Sequence, residues 1–188
     1  KVKAVNDYVV LNTTYSSETT ASPHAAYAIL KEGKGVCQAY ALLTYRLLKE
    51  AGLEANYVTG VAGGGPHAWN LVKVNGEWYH LDTTWNDPVF ALSAGDMSDY
   101  VHYKYFLVPD SIIKLDHEID DNNYPVATDN AFAPLHKVEK SVQVGSTLYF
   151  PSKDHDIQLY KLDLNNLVAG ATQVSTTRVK YLVHIDGW

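Results

Sequence analysis

Three residues between positions 33 and 88 have types and spacing that could do nucleophilic chemistry. Cys37 is the only cysteine among 188 residues. It follows Gly33-Lys34-Gly35-Val36 and opens an apolar segment in which Val36, Cys37, Tyr40, Ala41, Leu43, Thr44, Leu47, Leu48 and Ala51 recur at helical spacing. The segment stops at Gly52, a residue suited to a left-handed helix cap. Cys37 then lies in the first turn, where unpaired backbone N–H groups and the positive end of the helix dipole favour a thiolate. Downstream, His67-Ala68-Trp69-Asn70-Leu71-Val72-Lys73-Val74 reads as a strand, Asn75-Gly76 as a hairpin turn, and Glu77-Trp78-Tyr79-His80-Leu81-Asp82 as the returning strand. With a two-residue loop, Val74 faces Glu77, Trp69 faces Asp82 and His67 faces Thr84. His67, Trp69, Asp82 and Thr84 then share one sheet face, with Asp82 diagonal to His67 and within side-chain reach. A His–Asp pair beside a helix-terminal cysteine makes a nucleophile, base and orienting-acid set.

These blocks resemble the core of the transglutaminase-like superfamily of cysteine hydrolases and acyltransferases. The resemblance rests on Gly35-Val36-Cys37-Gln38-Ala39-Tyr40-Ala41, on His67-Ala68-Trp69-Asn70, and on Trp78-Tyr79-His80-Leu81-Asp82-Thr83-Thr84-Trp85-Asn86-Asp87-Pro88, in the family's order. Ala39 departs from it, since many relatives carry glycine there. The resemblance implies Cys37 as nucleophile, His67 as general base and Asp82 as orienting acid. It also implies an α+β fold, a papain-like core with the nucleophile helix packed on an antiparallel sheet. A tyrosine near the position of Tyr15 falls in the family's substrate cleft. Tyr15 is therefore a candidate oxyanion donor beside the Cys37 backbone N–H, or else a packing residue. Trp69 and Trp85 are candidate cleft residues, Trp85 as a roof; Trp69 and Trp78 also suit a core. His80 shares the Asp82 face on the hairpin count. It could act as the base, join Cys37, His67 and Asp82 around zinc, or be a structural histidine bonded near the site. The triad reading needs no metal or cofactor.

The elements that must position these residues are legible in outline. Val5, Tyr8, Val9 and Asn12 have helical spacing, 13–22 is a polar loop, and Ser22-Pro23 opens a second short helix through Leu30. A strand is expected over 56–61. Ala62-Gly63-Gly64-Gly65-Pro66 lacks the lysine of a phosphate loop and instead turns the chain into the His67 strand. Residues 89–97 read as a loop or short helix and 100–108 as a strand. Tyr105-Phe106-Leu107-Val108-Pro109-Asp110, His117 and Tyr124-Pro125 look like the tail of bacterial domains of this family, with His117 structural and not placed near Cys37. The catalytic domain is expected over 1–129. A β-rich extension follows over 130–188, with strands at 141–151, 158–163 and 181–185. Residues 144–150 are echoed about 40 residues on at 183–188, an offset near the length of a propeller blade. Leu148-Tyr149-Phe150 with Leu159-Tyr160-Lys161-Leu162-Asp163 resembles the first blade of a propeller-like repeat, against the alternative of a small β appendage.

Composition narrows the function classes. The chain is 46% apolar and 19% charged, with net charge −6 and no basic run, which argues against a nucleic-acid partner. No apolar stretch reaches the roughly 18 residues of a membrane span. A single cysteine excludes an internal disulfide framework. The chain starts without methionine and ends in an apolar run, as a fragment of a longer protein would. The expected activity is cysteine-dependent acyl transfer on amide bonds of a protein, peptide or cell-wall-type substrate, with hydrolysis favoured over crosslinking since no calcium-loop pattern is present. The rival reading is a binding module of a bacterial cell-surface protein. The tyrosine-rich, cysteine-poor composition fits an extracellular or cell-surface location.

Overall fold

The computed structural model describes residues 1–88, 100–120, 123–180 and 182. The loop or helix expected over 89–97, the strand expected over 181–185 and the echo at 183–188 lie outside the described residues. The fold is α+β, with α-helices packed against an antiparallel sheet.

The centre is helix α3 (Cys37–Glu50), 14 residues long. Ala39, Tyr40, Ala41, Leu43, Thr44 and Leu48 are its buried face, and Gly52 takes the left-handed conformation (φ +77°) just beyond it. Helix α1 (Val2–Leu11) and helix α2 (Ala26–Glu32) pack against α3. Helix α2 starts at Ala26, later than the Ser22-Pro23 signal; the Ala25 N–H instead closes a turn onto the Ser22 carbonyl. Gly33 caps α2 with φ +65°. Two short strands, β1 (Thr14–Tyr15) and β2 (Lys34–Gly35), then run parallel and set Tyr15 beside Gly35 at the entrance to α3. A Cβ at Gly35 would stand 2.8 Å from Ala39 Cβ and 2.9 Å from Ile29, so glycine lets the turn before Cys37 close onto the helices.

Strands β3 (Ala55–Ala62), β4 (Gly65–Val74), β5 (Glu77–Leu81), β6 (Phe106–Val108) and β7 (His117–Ile119) form one sheet in the order β6-β5-β4-β3-β7. Gly63 and Gly64, both at positive φ, turn β3 into β4; Asn75 and Gly76, also at positive φ, turn β4 into β5. The second hairpin has the expected register, Val74 opposite Glu77. Its ladder ends at Asn70 opposite Leu81, and the Asp82 N–H goes to the Tyr105 carbonyl instead. Only Phe106–Val108 of the strand expected over 100–108 is formed. Before it, the His102 N–H bonds the Asn86 carbonyl and the Tyr105 N–H bonds Asn86 Oδ1, so this stretch is tied to a loop and not to a ladder.

After the short helix α4 (Asp110–Ile113) and β7, the chain crosses to a second antiparallel sheet. Its strands are β8 (Val142–Val144), β9 (Thr147–Ser152), β10 (Gln158–Asp163) and β11 (Thr172–Arg178), each paired to the next. The strand expected over 141–151 is thus two strands turned at Gly145 (φ +58°), and β11, polar and mostly exposed, has no apolar signal in the sequence. Leu148, Phe150 and Leu162 of this sheet join Val2, Leu48, Tyr79, Phe106, Leu135 and Val138 in one buried cluster. This buried cluster therefore includes residues from both sides of position 129.

Candidate active site

Cys37 is the first residue of α3, partly exposed and free of any disulfide. Burial raises its thiol. A hydrogen bond and the positive charge of His67, with backbone hydrogen bonds from Ala68 and Gln38, outweigh burial and leave it below its ordinary value. His67 projects from β4. Its Nε2 lies 2.7 Å from Asp82 Oδ2, with both side chains almost fully buried. Burial works against the imidazolium, but the Asp82 carboxylate and then the thiolate outweigh it, raising His67 to about 10. Asp82 is wholly buried. Burial pushes it up, yet His67 and His117 hold it down at about 2. Its other oxygen, Oδ1, accepts the backbone N–H groups of Thr84 and Trp85 at 2.9 and 3.1 Å.

The strands alone do not aim these groups; side-chain ties do. Asn70 Nδ2 donates to the Ala41 carbonyl of α3, fixing β4 to the cysteine helix. The loop after Asp82 is fastened to α3 twice, through Tyr40 O–H to Asp87 (2.6 Å) and through Thr44 and Thr83 hydroxyls (2.9 Å). Asn86 Nδ2 donates to Asn6 of α1. Tyr15 is brought to Cys37, hydrogen-bonded to both its backbone and its side chain. Burial and then the neighbouring sulfur charge raise its phenol, so it stays protonated. Trp85 stands over the site with its ring 5.8 Å from His67.

Trp69 does not line the cleft. It is 1% exposed, and its indole N–H donates to His80 Nδ1 at 2.9 Å, leaving no donor for a substrate; it packs behind His67. His80 is likewise committed. Its other nitrogen bonds Asp110 at 3.0 Å, and burial pushes it down to about 4, so it remains a neutral structural ring. Neither the His80 base nor the zinc set containing Cys37, His67, His80 and Asp82 is assembled.

The sequence does not place His117 near Cys37, and the structure brings it to Asp82. Its Nε2 is 3.1 Å from Asp82 Oδ2, the same oxygen that binds His67. Strand β7 pairs with β3, which carries it there. Among the described residues, His67, Asp82 and His117 are the group close enough to share a metal ion. His67 and His117 each bond Asp82 Oδ2 directly, so that carboxylate oxygen is already engaged by both rings.

Residues 1–83 match the family model described as the transglutaminase-like superfamily. Kyphoscoliosis peptidase of Mus musculus and that of Homo sapiens are each 29% identical over 108 residues, 51% of this chain and 16% of theirs. The chain thus spans about a sixth of the length of these curated relatives. Among solved structures, a TGase is 29% identical with TM-score 0.40, covering 44% of this chain and 25% of that one. A candidate cysteine protease from Cytophaga hutchinsonii is 19% identical with TM-score 0.41, covering 69% and 48%.

Proposed function

We propose that this protein is a cysteine-dependent acyl-transfer enzyme acting on amide bonds of peptide or cell-wall-type substrates through Cys37, His67 and Asp82. The observation that carries the reading is one line of contacts. A helix-terminal thiol is hydrogen-bonded to an imidazole whose far nitrogen is held by a buried carboxylate at 2.7 Å. The thiolate attacks the carbonyl carbon, forming the C–S bond. The oxyanion sits near the Cys37 backbone N–H and the Tyr15 hydroxyl. His67 gives its proton to the leaving amine as the C–N bond breaks. It then takes a proton from water, which hydrolyses the thioester. Asp82 keeps His67 in the tautomer and orientation both steps need. Hydrolysis is favoured over transfer to an amine, and an extracellular or cell-surface setting remains part of the proposal.

The test is to offer activated peptide esters and amides and to look for an acyl adduct on Cys37 by intact-mass and peptide mass spectrometry. Wild type should form and turn over the adduct, and Cys37→Ala should do neither. Turnover that persists in Cys37→Ala would sink the mechanism. Adding a small primary amine then partitions the products: mainly carboxylic acid is the expected outcome, mainly the new amide would make the enzyme a transamidase.

A further inference from the structure

His117 has both ring nitrogens against carboxylates. Nε2 faces Asp82 Oδ2 at 3.1 Å and Nδ1 faces Asp116 Oδ1 at 2.7 Å, with the His117 side chain fully buried. An ionised carboxylate only accepts, so a neutral ring could satisfy just one of the two contacts. The missing proton must lie on the ring or on one of the acids. Asp82 is bound by His67, His117 and two backbone N–H groups, which favours its ionised form. Asp116 accepts the Tyr105 hydroxyl at 2.5 Å, and Lys104 Nζ is 3.9 Å away. With four donors on Asp82 and the Tyr105 hydroxyl donating to Asp116, both acids already act as acceptors, which leaves the proton to the ring.

We propose that His117 is a positioning residue of this site: a second imidazolium that shares the Asp82 carboxylate with His67 and continues a line of alternating charge from Cys37 through His67, Asp82 and His117 to Asp116 and Lys104. The inference rests on the reading of Cys37 as nucleophile and His67 as its base. The groups facing His117 are Asp82 at the end of β5, His67 on β4, His80 on β5, its neighbour Asp116 and Tyr105 before β6, with Lys104 behind the last two. Trp69 and Trp85 close the space with rings 5.1 and 4.5 Å from it, which leaves the charge little solvent screening.

Two roles follow. Two donors on one oxygen fix the Asp82 carboxylate against rotation, so its bond to His67 keeps one direction. A positive ring 5.4 Å from His67 also favours release of the His67 proton, the step that frees the leaving amine. Gly60 makes the arrangement possible. A Cβ there would lie 1.9 Å from the Glu118 carbonyl and 2.9 Å from the Trp69 ring, so only glycine lets β7 approach β3 this closely.

Histidine side-chain nitrogen NMR on the wild-type chain at pH 7 reads the charge directly. Both His117 nitrogens should be protonated, and a neutral-ring pattern would overturn the proposal without any variant having to fold. The second measurement is the pH dependence of Cys37 alkylation by iodoacetamide in wild type and in His117→Gln, which keeps a donor but loses the charge. Removing a unit charge at this range should move both inflections, thiol ionisation and loss of the His67 proton, upward by about one to two pH units. Unmoved inflections in a folded His117→Gln protein would make His117 merely structural and overturn the proposal. A wild-type profile of an ordinary thiol would instead sink the nucleophile reading on which it rests.

Discussion

At Asp82, burial and charge meet on a single side chain, and the consequences for pH are specific. The carboxylate is held near 2 against an ordinary 3.8, so its stabilising contribution is present above about 3.8 and is lost as pH falls through about 2. His67 is raised from 6.5 to about 10, so its contribution is complete below 6.5 and is lost as pH climbs through about 10. Asp82→Asn removes the main source of the His67 shift. Thermal melts should show wild type ahead of Asp82→Asn between pH 4 and 6.5, with the gap closing toward pH 2 and toward pH 10. A gap independent of pH would mean that the pair is not ionised in the folded protein. At pH 7 the same variant should lose turnover by about 10³-fold or more, because the base loses its tautomer and orientation. These residues were legible in the sequence because each signal is local: a helix start at Cys37, and an Asn-Gly turn whose register counts back to His67. His117 was not legible. It lies 35 residues beyond Asp82, on a three-residue strand too short to show a period, and reaches the site only because β7 pairs with β3.

At the level of elements, the sheet is assembled from one strong hairpin pair and two weak edges. Strands β3, β4 and β5 have glycine-bearing turns and length enough to be read from pattern. The edges β6 and β7 have three residues each and depend on partners distant in sequence. The apolar alternation over 100–108 misleads because Asn86 takes the backbone hydrogen bonds that a ladder would have used. Trp69 was readable either as core or as cleft, and only the position of His80, which takes its N–H, decides for the core. Edge β7 is the vulnerable element, and Gly60 is its hinge of contact. Gly60→Ala should cost about 3 kcal/mol, since the methyl group would meet backbone that cannot yield without parting β7 from β3. Denaturant unfolding measures that cost, and hydrogen exchange at the Ile119 amide should rise more than at Leu71. An unchanged unfolding midpoint would show that the strands adjust and that the close approach is not needed.

Across the whole molecule, the second sheet is tied to the first through shared apolar packing. Phe150 and Leu148 of β9 and Leu162 of β10 lie in the same buried cluster as Leu48 of α3, Tyr79 of β5 and Phe106 of β6. Among the described residues, the Lys3 ammonium donates to the Gln143 amide oxygen across this contact, in an exposed position. A sheet held this way contributes to the stability of the helix and strands that carry Cys37 and His67, because the apolar faces of both would otherwise meet water. The expected consequence is a single cooperative unfolding transition for the chain. Phe150→Ala should remove about 4 kcal/mol. The loss should appear equally in amides of β4, which lie in the other sheet, and in amides of β9. Hydrogen exchange under conditions of global opening makes the comparison. If protection falls in β9 and β10 while β4 is untouched, the extension is an independent unit whose contact with the catalytic half is incidental. If both fall together, the extension is part of the scaffold that holds the Cys37 helix against its sheet, and truncation after the first sheet would cost the site its geometry as well as the protein its stability.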